Sequence, residues 1–231
     1  MLPTVRWPES TLPPGIEVHR LDLDTAAEDA SARRWLAPAE CARADRFART
    51  ADRVRFTAAR AALRRLLAER IGCAPADVPI AVGPHGKPFL DLGGDAPSFN
   101  VSHSGDHALI AIGDPERVDA VGIDIEQRRG DIDAEAVLAI AFTAHECRAV
   151  REAADPLRAL YDRWAAKEAV LKAIGTGVAR HLPSTAIHAG AEGRFALECA
   201  VPGWIRLQVQ ALAAPPGYAA ALAWRAAKES T

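Results

Sequence analysis

Apolar and polar positions along this chain fall into two successive blocks with the same internal order. Residues 15–24, GIEVHRLDLD, place Ile16, Val18, Leu21 and Leu23 among charged neighbours, which predicts a strand. From Pro38 to Ile71 the composition turns to Ala, Arg and Leu, with no further Gly or Pro until Gly72, which predicts a helical region closed by a glycine C-cap. Between Pro75 and Gly113, short apolar stretches broken by Gly and Pro (VPIAV, HGKPFL, SFNVSHSGDHALIAIG) predict an antiparallel meander. The order then repeats. Asp119–Glu126 predicts a strand, and Asp131–Ile174 predicts two or three helices, with Asp133 an N-cap and Pro156 opening the last. STAIHA, GRFAL, WIRLQVQAL and YAAALAW predict a closing strand meander. Element order alone therefore predicts an α+β fold of two similar halves, residues 1–115 and 116–231, with a ligand cleft between them.

Composition narrows the function classes. At 231 residues the chain is long enough for one large domain or two smaller ones, and 49% hydrophobic with 25% charged residues is ordinary for a globular protein. A net charge of -2 gives no global attraction to nucleic acid. Cys41, Cys73, Cys147 and Cys199 form no C-x-x-C or His-flanked zinc spacing, which argues against structural zinc and a disulfide framework. No apolar run approaches the ~20 residues that span a bilayer, and MLPTVRWPESTLPPG lacks a signal peptide's continuous apolar stretch. A cytoplasmic protein without a membrane partner is the expectation.

The candidate chemistry sits in two acidic clusters. In VGIDIE, the β-branched run Val121, Ile123 and Ile125 carries Asp124 and Glu126 at i and i+2, so strand alternation sends both carboxylates to one face. In RWAAKEAVLKAIG, Trp164, Glu168 and Lys172 recur every fourth residue along one helical stripe. Three converging carboxylates call for a hard divalent cation, and Mg²⁺ fills its remaining coordination with water and phosphate oxygens. The competing reading is a solvated strand end with an ordinary helix ion pair.

Other segments leave two readings open. Ser102, His103 and Ser104 before Gly105 make either a phosphate cradle or a polar hairpin turn. Arg43, Arg46, Arg49, Arg53, Arg55, Arg60, Arg64 and Arg65 make either a solvated face or a polyanion site. Lys87 lies between Gly86 and Pro88, in a loop whose backbone those residues stiffen.

In order, HGKPFL, FNVSHSG, VGIDIE, FTAHE and WAAKEAVLKAIGTG resemble the signature of the 4′-phosphopantetheinyl transferases, in particular the longer, pseudo-dimeric Sfp-type branch. The resemblance implies two pseudo-two-fold-related α+β halves with the active site in the cleft between them. It implies transfer of the phosphopantetheine arm of coenzyme A to a serine of an apo acyl or peptidyl carrier protein. Asp124, Glu126 and Glu168 would hold Mg²⁺, with Mn²⁺ as an alternative, and Lys172 would stabilise charge on the leaving diphosphate. Ser102 and His103 would contact phosphate, Lys87 and Pro88 would border the adenine, and Arg43 with Arg55 would meet the 3′-phosphate. Glu146 of FTAHE would be the general base on the carrier serine, or the capping-box acid of Thr143. Residues 134–150, with Val137, Leu138, Ile140, Ala141 and Phe142, are the candidate carrier groove, core burial being the alternative. A duplicated chain can complete its own site, so a monomer is expected, serving secondary metabolism. A Mg²⁺-dependent phosphohydrolase and a non-catalytic coenzyme A or carrier-binding module are the competing functions.

Overall fold

The computed structural model of the chain describes residues 4–93, 96–175, 182, 185–199, 204 and 206–227. Up to residue 113 the chain builds β1 (Thr4–Arg6), β2 (Ile16–Asp22), α1 (Pro38–Ala44), α2 (Thr50–Ile71), β3 (Ile80–Val82), β4 (Pro88–Leu90), β5 (Ser98–Ser104) and β6 (His107–Gly113). Beyond it come β7 (Val118–Gln127), α3 (Ala134–Ala141), α4 (Ala144–Arg151), α5 (Pro156–Ile174), β8 (Thr185–Ala189), β9 (Arg194–Cys199), β10 (Gln208–Leu212) and β11 (Tyr218–Ala226). One antiparallel sheet has the order β1-β2-β6-β5, a second β7-β11-β10-β9-β8, and β3 pairs with β4 alone.

Alternation along the strands sorts these elements into four layers. Leu21, Phe99 and Ile110 face Leu63 and Leu67 of α2. On the opposite face of the same sheet, Val18, Leu109 and Ala111 meet Ile123, Ile125, Leu222 and Trp224 of the second sheet. Each such Leu or Ile is worth about 1.5–3 kcal/mol when fully buried, so this apolar layer is what joins the sheets. The outer face of the second sheet carries Ala219, Ala221 and Ala223, packed against Ala165, Ala169 and Val170 of α5. The run of small residues lets the helix lie close.

Three expected elements differ in detail. The helical region predicted over 38–71 is broken at 45–49, where Arg49 is extended and Phe47 turns inward to lie 5.4 Å from the Phe56 ring. VPIAV and HGKPFL form a separate two-stranded ribbon and do not join β5 and β6. Leu90 and Val78 are drawn under α2 instead. In the closing meander, β10 begins only at Gln208, because Leu207 N donates to Trp204 O in a turn that buries Trp204. Thr176, Gly177, Ser184 and Ile205 of the predicted segments lie outside the described residues. Asp133 and Asp155 cap α3 and α5, accepting from Ala136 N and Arg158 N, with Pro156 at the first turn of α5.

Candidate functional site

Gly122 determines where the two acidic clusters meet. A Cβ there would stand 2.1 Å from Ala169 O and 2.3 Å from Ala173 N, so glycine is what allows α5 to rest directly on β7. Asp124 and Glu126 leave β7 on the same face, and Glu168 and Lys172 leave α5 beside them. Lys172 Nζ donates to Asp124 Oδ1 at 2.5 Å and to Ser102 Oγ at 2.9 Å. Ser102 Oγ in turn donates to Asp124 Oδ1 at 2.7 Å. Asp124 is 1% exposed, and its Oδ2 is buried without a partner among the described residues.

The alternating polar face of β5 holds this arrangement against the open edge of β7. Asn100 Oδ1 accepts from Ile123 N (2.9 Å), Ser104 Oγ accepts from Gln127 N (3.0 Å), and Ser104 Oγ donates to Glu126 Oε2 (3.1 Å). Side chains thus satisfy edge groups that would otherwise invite another strand. Asn100 is a residue of this site that the motifs do not single out, and Ser104, a candidate phosphate contact in the sequence, bonds to β7 instead. Their signal is the i, i+2, i+4 polar pattern Asn100, Ser102, Ser104, which alternates with Phe99 and Val101.

Burial and mutual repulsion dominate the electrostatics. Burial, and then the Asp124 charge, push Glu126 up to about 7, although Trp164 and Ser104 hydrogen-bond to it. Glu168, 7% exposed, is pushed up to about 7 by burial and then by Asp124 and Glu126. Burial also raises Asp124 against the opposing pull of Lys172 and Ser102. For Lys172 burial opposes the charge, but Asp124, Glu168 and Glu126 outweigh it and hold the ammonium above its ordinary pKa. Among the described residues no three His, Cys, Asp or Glu side chains already form a metal cage. The unpaired Oδ2 and two carboxyls held near neutrality are nevertheless what a hard cation would relieve, so the donor set fits Mg²⁺.

The remaining predicted residues divide. Lys87 and Pro88 line a cleft of about 210 Å³ together with Asn100, Leu171, Lys172 and Gly175, so the loop from one sheet reaches the cluster on the other. Ser102 and His103 stand on opposite faces of β5. Ser102 faces β7, whereas His103 is exposed on the α2 face of β5, as strand alternation requires. Arg55 reaches the turn beyond β5, where its Nε donates to Gly105 O at 2.6 Å. Arg43 is directed elsewhere, 5.0 Å over the Phe56 ring. Arg64 belongs to no solvated face: it is 2% exposed, paired with Glu40, and donates to Pro75 O, Ala76 O and Val78 O.

Glu146, expected as general base or as capping-box acid, has both carboxylate oxygens engaged in the interior. Glu146 is 0% exposed. Its Oε2 accepts from Thr143 N (2.8 Å), Thr143 Oγ1 (3.0 Å) and Lys167 Nζ (2.8 Å), and its Oε1 from Ile187 N (2.8 Å). The capping box with Thr143 is formed, and the carboxylate is enclosed by these donors. Core burial likewise claims Leu138, Ala141 and Phe142 of the expected carrier groove, leaving Ile140 outside at 68% exposure.

Crowded carboxylates beside a lysine, at the seam of an α+β double sheet, define the class of site: one built for cations and anions, not for an apolar ligand. Residues 120–223 match the family described as the 4′-phosphopantetheinyl transferase superfamily, and residues 25–114 match that described as 4′-phosphopantetheinyl transferase, N-terminal. The 4′-phosphopantetheinyl transferase HetI of Nostoc sp. is 35% identical over 173 residues, covering 71% of this chain and 71% of that protein. The L-aminoadipate-semialdehyde dehydrogenase-phosphopantetheinyl transferase of Homo sapiens is 33% identical over 168 residues, 68% of this chain and 53% of its own. A Synechocystis sp. relative, slr0495, is 34% identical over 146 residues, 62% of this chain and 58% of its own. The chain thus spans little more than half the length of two of these relatives. It belongs to the 4′-phosphopantetheinyl transferase family. No described helix is long and apolar enough to cross a membrane.

Proposed function

We propose that this chain transfers the 4′-phosphopantetheine group of coenzyme A to a serine of an apo acyl or peptidyl carrier protein, giving holo carrier protein and adenosine 3′,5′-bisphosphate. The observation that carries this reading is Asp124, a buried carboxylate with one oxygen held by Lys172 and Ser102 and the other without a partner among the described residues. Family membership supports phosphopantetheinyl transfer as the reaction class.

In this reading Asp124, Glu126 and Glu168 hold Mg²⁺, which supplies charge neutralisation for the coenzyme A diphosphate when bound. Lys172, kept charged by its carboxylate neighbours, faces the bridging oxygen that leaves and stabilises the charge developing there. The carrier serine Oγ bonds to the phosphorus next to pantetheine as the diphosphate P–O bond breaks. The leaving group departs as adenosine 3′,5′-bisphosphate. With Glu146 sealed, the serine proton goes to water or to a carboxylate of the cluster itself. The cleft at Lys87 and Pro88 takes the adenine end of the donor, Arg55 meets its 3′-phosphate and His103 contacts phosphate. Residues 1–115 then supply donor contacts and residues 116–231 the carboxylates, so one chain completes its site as a cytoplasmic monomer serving secondary metabolism.

The test is the mass of an apo carrier protein incubated with coenzyme A and this protein, with Mg²⁺ or with EDTA. A gain of the pantetheine arm with Mg²⁺ alone is expected. Unchanged carrier mass overturns the reading, as does equally fast release of adenosine bisphosphate without any carrier, which would mark a hydrolase.

A further inference from the structure

We propose that Lys87 is a positioning residue, an ammonium that pins the open edge of β7 to the last turn of α5 and so sets how Lys172 meets Asp124. Lys87 Nζ donates to Val121 O at 3.2 Å and to Ala173 O at 2.8 Å. Val121 lies on the edge of β7 just before Gly122, and Ala173 directly follows Lys172. Both carbonyls lack a partner in their own element: one belongs to a strand edge, the other to the four carbonyls a helix leaves open at its C-terminus. A single ammonium has enough donors for both, and the negative end of α5 favours a cation there.

The loop is built to hold that ammonium. Gly83 N donates to Lys87 O and Gly86 N to Gly83 O, both at 2.9 Å, with Gly86 at φ 84°. The aliphatic stem crosses Gly175, the C-cap of α5, where a Cβ would stand 2.9 Å from Lys87 Cδ. The glycine after the last helical turn therefore serves twice, permitting the left-handed cap and giving the lysine passage. Burial, and then the charge of Arg225, bring Lys87 down to about 8, a cost consistent with an ammonium engaged by carbonyls alone. Its partners belong to the motif segments themselves, which distinguishes this role from lining the adenine.

The inference rests on the transferase reading only for its kinetic consequence, so two measurements are needed. In the first, Lys87→Met and Lys87→Arg are compared with the unaltered protein using coenzyme A and a pantetheine diphosphate capped by methyl in place of adenosine. Lys87→Met is expected to lower kcat about 10- to 100-fold with both donors, since ångström-scale misplacement costs that much. Lys87→Arg, which keeps the donors, should recover part of the rate. A raised KM with kcat intact, or a defect that disappears with the methyl-capped donor, overturns the proposal in favour of adenine contact. In the second, amide hydrogen exchange over residues 119–123 and 171–175 is expected to speed up in Lys87→Met, and less so in Lys87→Arg. Unchanged exchange overturns the clamp even if the protein transfers nothing, and an unaltered protein that transfers nothing overturns only the transferase reading. Should Lys87→Met not fold, Lys87→Arg is compared with the unaltered protein in both measurements, with a smaller shift of the same sign expected and no shift overturning the clamp.

Discussion

Helix α5 carries two lysine–carboxylate pairs within two turns of each other, and they have opposite characters. Lys167 and Glu146 are both 0% exposed. Besides Glu146, Lys167 Nζ donates to Ala141 O (2.7 Å) and Leu182 O (3.1 Å) and lies 4.8 Å over the Phe142 ring. Burial lowers the pKa of Lys167, and Glu146 resists that fall. Lys172, by contrast, is 24% exposed and meets an Asp124 with an oxygen to spare, beside two more carboxylates. The sealed pair joins α3, α4, α5 and β8 and has no capacity left for a ligand. The open pair has surplus negative charge, access to a cleft and an unmet coordination demand. Buried charge alone does not mark a functional site; buried charge left incompletely satisfied does.

That contrast can be broken most severely at the open pair. Asp124→Ala and Glu168→Ala are expected to lower carrier modification by about a thousandfold or more, the scale set by loss of transition-state electrostatics, while far-ultraviolet circular dichroism stays unchanged. Retention of more than a tenth of the rate in either variant would remove these residues from the chemistry. At the sealed pair the loss should be one of stability. Lys167→Met or Glu146→Gln alone leaves a buried charge unpaired and should cost about 3–5 kcal/mol in urea unfolding. The double variant should cost clearly less than the sum. If Glu146→Gln instead abolished transfer at unchanged stability, Glu146 would return as a catalytic base.

A smaller effect concerns pH. Without metal, Glu168 keeps its proton in the folded chain up to about 7, whereas the unfolded chain loses it near 4.5. The folded state then binds more protons, so stability should fall as pH rises from about 4.5 to 7, by on the order of 1–3 kcal/mol, and level off above. Excess Mg²⁺ should flatten the decline. A flat urea-unfolding profile in EDTA would contradict the crowding of carboxylates. The smallest effect separates two arginines: Arg55→Ala should raise the KM for coenzyme A by about tenfold, in line with the loss of a charged hydrogen bond, and Arg43→Ala by less than about twofold. Equal effects would mean that Arg43 swings into the cleft when the donor binds.

Much of this is legible in the sequence. Alternation in VGIDIE placed Ile123 and Ile125 on one face and Asp124 and Glu126 on the other, and the every-fourth-residue stripe aligned Glu168 with Lys172, because both periods are properties of a single element. Gly72 and Pro156 marked helix ends for equally local reasons. The break at 45–49 was not legible, since it depends on Phe47 finding Phe56. Neither was the separation of β3 and β4 from the larger sheet, which depends on what lies beneath α2.

The sequence by itself determined the order of elements, the two acidic motifs and the family to which they belong. Only the tertiary structure decided which lysine of the K-E-x-x-x-K stretch is sealed and which is free to act. Lys167 and Lys172 stand five residues apart on one helix, and spacing gives each a direction but no surroundings. Leu182 O and Ile187 N close around the first pair, while Ser102 and the cleft at Lys87 meet the second, and all of these partners arrive from elements distant in the chain. Satisfaction of a charge is a property of everything packed around it, so it comes into being only when those elements meet.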